Sequence, residues 1–262
     1  MSGYVHGYGT PEQERLVAQA EHWRHRLIRD GTHLAPGTRL LELGCGVGAV
    51  LAVLGQEFPG IELTGVDIEP KQLEFAHGHL ERAGVDATLI QADALALPFA
   101  DDSFDQVWMM WFLEHLPDPV AALREARRVL VPGGVLTAIE VDYNTIRASP
   151  SSQALKALFV AVAQAMEAAA RSDAGTRLPE WLMEAGFTSV DPGEIRLAYA
   201  DKNLDRQVPY VTEVVQSTLP TLTETSRASA PQLQAGLAEL RALPITPNAA
   251  LAWVVHKAKA VR

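Results

Sequence analysis

The ten residues LELGCGVGAV at 41–50 set three glycines, Gly44, Gly46 and Gly48, at every second position between apolar runs. Glycine permits positive φ and close approach of a ligand, so such a loop between strand and helix can hold a cofactor. The dinucleotide fingerprint is G-x-G-x-x-G, whereas the spacing here is G-x-G-x-G, with Glu42 two residues before the first glycine. Two acids follow at the ends of the next apolar runs. Asp67 in GVDIEP lies roughly 20 residues beyond the loop, where a carboxylate can accept from ribose hydroxyls. Asp93 in QADALALPF can read an adenine edge together with backbone groups, with Ile68 and Leu95 as apolar walls. These types at these intervals suit an adenosine-bearing ligand.

Groups able to move a proton are His6, Glu114, His115, Glu140 and Tyr143, and the sequence does not choose among them. Trp111 and Phe112, just past an apolar strand, are candidates for the wall of a substrate pocket, with Glu140 and Tyr143 beside them. Cys45 sits inside the glycine loop, but nothing nearby would activate it, so its thiol reads as a small packed group. Tyr4, His6 and Tyr8 in YVHGYGT read as a cap over the site, where aromatic faces or hydroxyls could meet a bound cofactor. His77 and His79 are two apart on a helix and face different sides, so no metal site is expected.

The elements that must position these groups alternate. Short apolar strands are expected at 38–43, 61–66, 86–91, 104–109, 135–141, 187–197 and 250–256. Helices are expected at 11–30, 48–57, 70–83, 118–130, 151–171 and 177–185, with a long polar and helical stretch over 202–243. The helix at 118–130 carries Arg124, Arg127 and Arg128 on a face read as solvated. The pattern specifies an α/β fold: a doubly wound, mostly parallel, seven-stranded sheet with an added helical lid. Residues 1–35 would form an N-terminal helical cap and 36–150 the nucleotide-binding core. Segments 151–175 and 198–247 would form the lid, and 176–197 with 248–262 would complete the sheet.

Composition narrows the partners. A formal net charge of −10 makes nucleic acid an unexpected ligand, because neutralising phosphates takes Lys and Arg. One cysteine excludes an internal disulfide and fits a reducing, cytoplasmic setting. The N-terminus lacks a basic-then-apolar signal pattern, and charges or Pro and Gly interrupt every apolar run, so no membrane association is expected. A small organic molecule is the expected partner, with a homodimer through the lid as a further possibility.

The ordered set LELGCGVG, GVDIEP, QADALALPFADDSFDQV, FLEHLPDP and RVLVPGG resembles the class I S-adenosylmethionine-dependent methyltransferases. It is most similar to the small-molecule branch that includes quinone-biosynthesis and natural-product enzymes. The resemblance covers about residues 36–143 and, more loosely, 177–197 through RLPEWLMEAGF. It implies the Rossmann-like methyltransferase fold, S-adenosyl-L-methionine as cofactor with S-adenosyl-L-homocysteine as product, no metal, and a small, largely apolar methyl acceptor. It further implies that Glu42, Gly44, Cys45 and Gly46 meet the methionine part, with Met109 and Met110, just past the fourth strand, lining that end. Asp67 would take the ribose, with Gln72 in the helix that follows; Ile68, Asp93, Ala94 and Leu95 would meet the adenine. Glu42 stands where many members carry Asp. Two rivals remain open: a protein of this fold that binds the cofactor for another reaction or as a sensor, and an NAD-dependent oxidoreductase.

Overall fold

The structure is a computed structural model that describes residues 9–169 and 171–262. The chain divides into two compact units. The larger takes the described residues up to Glu140 together with Arg177–Gly193 and Lys257–Arg262; the smaller takes Val141–Thr176 and Glu194–His256.

In the larger unit the sheet is built first from β1 (Arg39–Leu43), β2 (Glu62–Asp67), β3 (Thr88–Gln91) and β4 (Phe104–Met110). Next come the first part of β5 (Leu130–Ser149), then β6 (Ser189–Asp191) and the end of β8 (Ala250–Val261). The strand order is β3-β2-β1-β4-β5-β8-β6. Pairs β1–β2, β2–β3, β1–β4 and β4–β5 are parallel, while β6 runs antiparallel to β8. Strand order reverses between β1 and β4, and in open α/β sheets the carboxyl ends of the strands at such a switch point border the ligand crevice. Leu40, Leu41 and Leu43 of β1 are wholly buried, as a parallel strand covered on both faces requires.

Helices α2 (Ala49–Glu57) and α3 (Pro70–Ala83) carry the chain from β1 to β2 and from β2 to β3. The two ends of α3 are written in its residues. The Glu69 side chain accepts from Lys71 N, Pro70 opens the first turn, and Gly84 closes it in the left-handed conformation. In α4 (Pro119–Val129), Asp118 accepts from Ala121 N, and Val120, Leu123 and Ala126 form the buried stripe.

Four expectations are refined. The N-terminal helix is α1 (Thr10–Trp23) followed by a π-helical turn at Arg24–Arg29 rather than one helix to residue 30. The Lys257 ammonium completes that turn by donating to the carbonyls of Leu27 (2.8 Å) and Asp30 (2.7 Å) and to Thr32 Oγ1 (3.0 Å). Second, the strand expected at 187–197 is two strands, β6 and β7 (Glu194–Ala200), which makes eight strands in the sheet. Gly193 between them has φ +39°, and a Cβ there would strike the Lys257 carbonyl. Third, the strand expected at 135–141 is longer, Leu130–Ser149, with Pro132-Gly133-Gly134 inside it. Leu130 pairs with Phe104 and Val135 with Gln106, so the extra residues bulge out of one long strand. Fourth, the face of Arg127 and Arg128 is engaged rather than solvated. Arg127 donates to the Gly186 carbonyl, and Arg128 binds Glu125, Asp101 and the carbonyls of Leu97 and Phe99.

The smaller unit contains α5 (Gln153–Ala169), the start of α6 (Ala174–Glu184), α7 (Leu204–Thr225) and α8 (Ala230–Ala242), and the antiparallel pair of β7 with the first part of β8. Leu158, Val208, Leu222, Leu237 and Leu240 are buried. Gly236 lets α8 approach α5 closely, since a Cβ there would lie 2.6 Å from the Ala154 carbonyl oxygen.

Candidate cofactor site at the switch point

The glycine loop leaves β1 and enters α2 with Gly44, Gly46 and Gly48 at φ +69°, +49° and +69°. Side chains rarely adopt that backbone, so the glycines are needed for shape as well as for space. The loop is tied to the neighbouring strand: Gly44 N and Cys45 N both donate to the Val66 carbonyl, at 2.9 and 3.0 Å. Asp67, at the end of β2, bridges the two turns. Its Oδ2 accepts from Gly46 N at 2.8 Å and its Oδ1 from Glu69 N at 2.9 Å. Burial pushes its carboxyl above the usual range, and these N–H bonds pull the other way.

Two features leave room and polarity for a ligand. A Cβ on Gly46 would meet nothing within 4 Å. Glu42, in β1 just before the loop, is buried, and its Oε2 has no hydrogen-bond partner among the described residues. Burial, reinforced by the charge of Asp67, raises its carboxyl well above the ordinary value. An unpaired buried carboxyl oxygen is expensive to leave unsatisfied, which marks the place as one where a polar group is missing.

On the far side of β2, Ala92 N donates to the Asp67 carbonyl, which carries the chain to Asp93. The Asp93 side chain is exposed and accepts from Leu95 N at 2.9 Å; Ala94 is buried and Ile68 is 64% exposed. The segment after Asp93 is held by α4, where Glu125 accepts from Leu97 N at 2.9 Å. Gln72 is buried and accepts from Gln13 Nε2 of α1 at 3.0 Å, so its amide ties two helices together. Cys45 is buried, with a thiol pushed well above its normal pKa by that burial, and is neutral at pH 7.

Past β4 the chain makes a strained bend. Met109 and Met110, expected just beyond the strand, are its last two residues and are buried. Trp111 has φ +52°, and its N donates to the Ile139 carbonyl. Phe112 N and Leu113 N both donate to Glu140 Oε1, at 2.9 and 2.7 Å, opening the short 3₁₀ turn Leu113–His115. Glu140 is fully buried, its Oε2 is unpartnered among the described residues, and burial raises its carboxyl to about 8. The Phe112 ring lies on the bare Cα of Gly44, where any Cβ would collide with it. The bend therefore touches the glycine loop directly.

Glu114 and His115 follow in that turn, with His115 Nε2 3.3 Å from Glu114 Oε1. Burial lowers the His115 imidazole to about 4, so it is neutral at pH 7. Tyr143 belongs to the smaller unit, where its N donates to the Ser172 carbonyl and the residue lines a cavity. Tyr4, His6 and Tyr8 lie outside the described residues. Among the described residues no three His, Cys, Asp or Glu side chains gather as metal ligands, and no helix is long and apolar enough to cross a membrane.

Residues 41–138 match a family model described as a methyltransferase domain. Over these residues the sequence is similar to that family's domain, and the match covers less than half of the chain. Two curated relatives are similar over part of the chain. A demethylmenaquinone methyltransferase of Thermus thermophilus is 38% identical over 118 residues, 45% of this chain and 53% of the relative. A 27-O-demethylrifamycin SV methyltransferase of Amycolatopsis mediterranei is 38% identical over 133 residues, 50% of this chain and 48% of the relative. The match thus spans about half the length of each relative. Among solved structures, the [4+2]-cyclase SpnF is similar with TM-score 0.56 and 21% identity, over 94% of this chain and 80% of the cyclase. At that identity the likeness is one of fold.

Proposed function

We propose that the chain is an S-adenosylmethionine-dependent methyltransferase whose acceptor is a small, largely apolar metabolite. One observation carries this reading: a buried, unpartnered Glu42 oxygen beside a left-handed glycine loop whose Gly46 faces open space. A nucleoside with a charged amino-acid tail matches that donor set. Glu42 and the loop backbone would hold the tail, Asp67 the ribose hydroxyls, and Asp93 with Ala94 and Leu95 the adenine. Ile68 would cover the ring, and Met109 and Met110 would back the sulfur end. Cys45 and Gln72 would serve by holding the loop and the α3 start in place. The relatives' names support small organic acceptors, quinone-like and polyketide-like.

When bound, the cofactor supplies a methyl group on a sulfonium, already activated for displacement. The chain's own task is then mainly alignment, since holding nucleophile and methyl carbon in contact removes much of the barrier. Trp111, Phe112, Glu140 and Tyr143 were expected to meet the acceptor. Glu140 has its Oε1 committed to two N–H groups, so we assign it to positioning the 111–113 bend that carries Trp111 and Phe112. Glu114 and His115 follow that bend in the 3₁₀ turn and are the candidate proton acceptors there. A neutral imidazole with a pKa near 4 is a weak base, which suits acceptors whose proton is already acidic. A cytoplasmic location and a homodimer belong to the same proposal.

The test is calorimetry with S-adenosylhomocysteine and NAD, followed by detection of released S-adenosylhomocysteine across a panel of phenols, quinols and polyketides. The nucleoside should bind and NAD should not. Binding without product across the panel would favour a non-methylating role on the same scaffold, since fold does not fix chemistry.

A further inference from the structure

The smaller unit contains a cavity of about 560 Å³, within the roughly 300–1,000 Å³ range of small-molecule sites. Its apolar wall comes from one face of α5, where Leu155, Phe159 and Ala163 recur at four-residue spacing, and from Ile146 of β5. Val160 adds to that wall and is 54% exposed, a large apolar side chain with little covering it. The polar end is already satisfied. Asn144 Nδ2 donates to Asp142 and Ser172, and Ser172 Oγ donates to Glu167 at 2.6 Å.

Two cations in the lining are not satisfied. Arg147 spends only Nη1, on the carbonyls of Asn144 and Ile146 at 2.7 Å each, leaving Nε and Nη2 without partners among the described residues. Lys156 Nζ makes no hydrogen bond or ion pair among them. Among the described residues of the lining the one carboxylate, Glu167, is engaged by Ser172 N and Oγ. In a chain of formal net charge −10, two uncommitted cations beside an apolar cavity are a local reversal of sign. Such a pair attracts an anion, and a planar guanidinium favours carboxylate or phosphate geometry.

We infer that this cavity is a binding site for an apolar small molecule bearing one acidic group. The acid sits between Arg147 and Lys156, and the body lies along Ile146, Leu155, Phe159 and Val160. Naming that ligand as the methyl acceptor rests on the methyltransferase reading; the site itself does not.

Calorimetry on the full chain with decanoate, 1-decanol and decyltrimethylammonium separates charge from apolarity. Decanoate should bind about tenfold or more tighter than 1-decanol, and the ammonium should bind least. Arg147→Met with Lys156→Met should remove that preference and leave 1-decanol unchanged. Val160→Trp should narrow the cavity and weaken binding of all three. S-adenosylhomocysteine affinity, measured in parallel, should be unchanged in every variant. Equal affinity for decanoate and 1-decanol, or decanoate binding indifferent to these variants, overturns the inference. Because Arg147 and Lys156 are exposed, the charge test survives even if Val160→Trp fails to fold. If the wild type takes decanoate as described but no S-adenosylhomocysteine, the site stands and its assignment as the acceptor site falls.

Discussion

Gly44 is constrained twice, by a left-handed backbone and by the Phe112 ring resting on its Cα. Gly44→Ala should therefore displace Phe112 and the 111–113 bend while leaving the buried sheet intact. The expected outcome is a loss of S-adenosylhomocysteine affinity of tenfold or more by calorimetry, with an unchanged far-ultraviolet circular dichroism spectrum. Glu140 gives a pH signature at the same scale. Its carboxyl rises in the folded chain from the model-compound value of 4.5 to about 8, because burial disfavours the charged form. Between those values the folded chain binds a proton that the unfolded chain has released. Its contribution to stability is thus whole below about pH 4.5 and is lost as pH rises through about 8. Glu140→Gln keeps an acceptor for Phe112 N and Leu113 N without a titrating group, so its melting temperature should fall less between pH 5 and 8 than the wild type's. Glu140→Ala leaves both N–H groups unsatisfied and should cost about 2–4 kcal/mol in denaturant melts at pH 5, with the difference from the wild type shrinking as pH rises towards 8.

Among the elements, the π-helical turn at Arg24–Arg29 depends on a residue 230 positions away. The Lys257 ammonium collects carbonyls that the turn leaves open and lies 5.3 Å from the centre of the Trp108 ring. Lys257→Met keeps the stem and removes the donor, orphaning those carbonyls. A loss of about 2–4 kcal/mol in urea unfolding is expected, with S-adenosylhomocysteine affinity retained. A neutral effect would mean that water replaces the ammonium. The same turn shows where sequence reading stops. The ends of α3 are legible because Pro70 and Gly84 act on their own backbone, and the glycine loop is legible because each glycine acts where it stands. The π turn, the division between β6 and β7 at Gly193, and the continuation of β5 to Ser149 are set by distant partners, which local periodicity does not encode. Glu140 illustrates this within the site. Its acid type suggested contact with a substrate, while its partners, two N–H groups at the end of β4, emerge only once β4 and β5 are paired.

For the whole molecule, the switch-point geometry ties ligand binding to global stability. A ligand that binds only the folded chain stabilises it by about 2.7 kcal/mol at a concentration 100 times its Kd. For a chain of 262 residues that corresponds to a rise in melting temperature of roughly 5–10 °C. S-adenosylhomocysteine should produce such a shift, and NAD at equal concentration should not. Asp67→Ala should reduce the shift most, because the proposed reading gives Asp67 the ribose hydroxyls in addition to Gly46 N, which it already fixes. Asp93→Ala should reduce it less, since the exposed Asp93 side chain holds only Leu95 N in the absence of ligand. The two carboxylates thus differ in a measurable way: Asp67→Ala should lower the unliganded melting temperature as well, and Asp93→Ala should not. If neither variant changes the ligand-induced shift, the nucleoside binds elsewhere, and the glycine loop with its unpartnered Glu42 oxygen is only a turn.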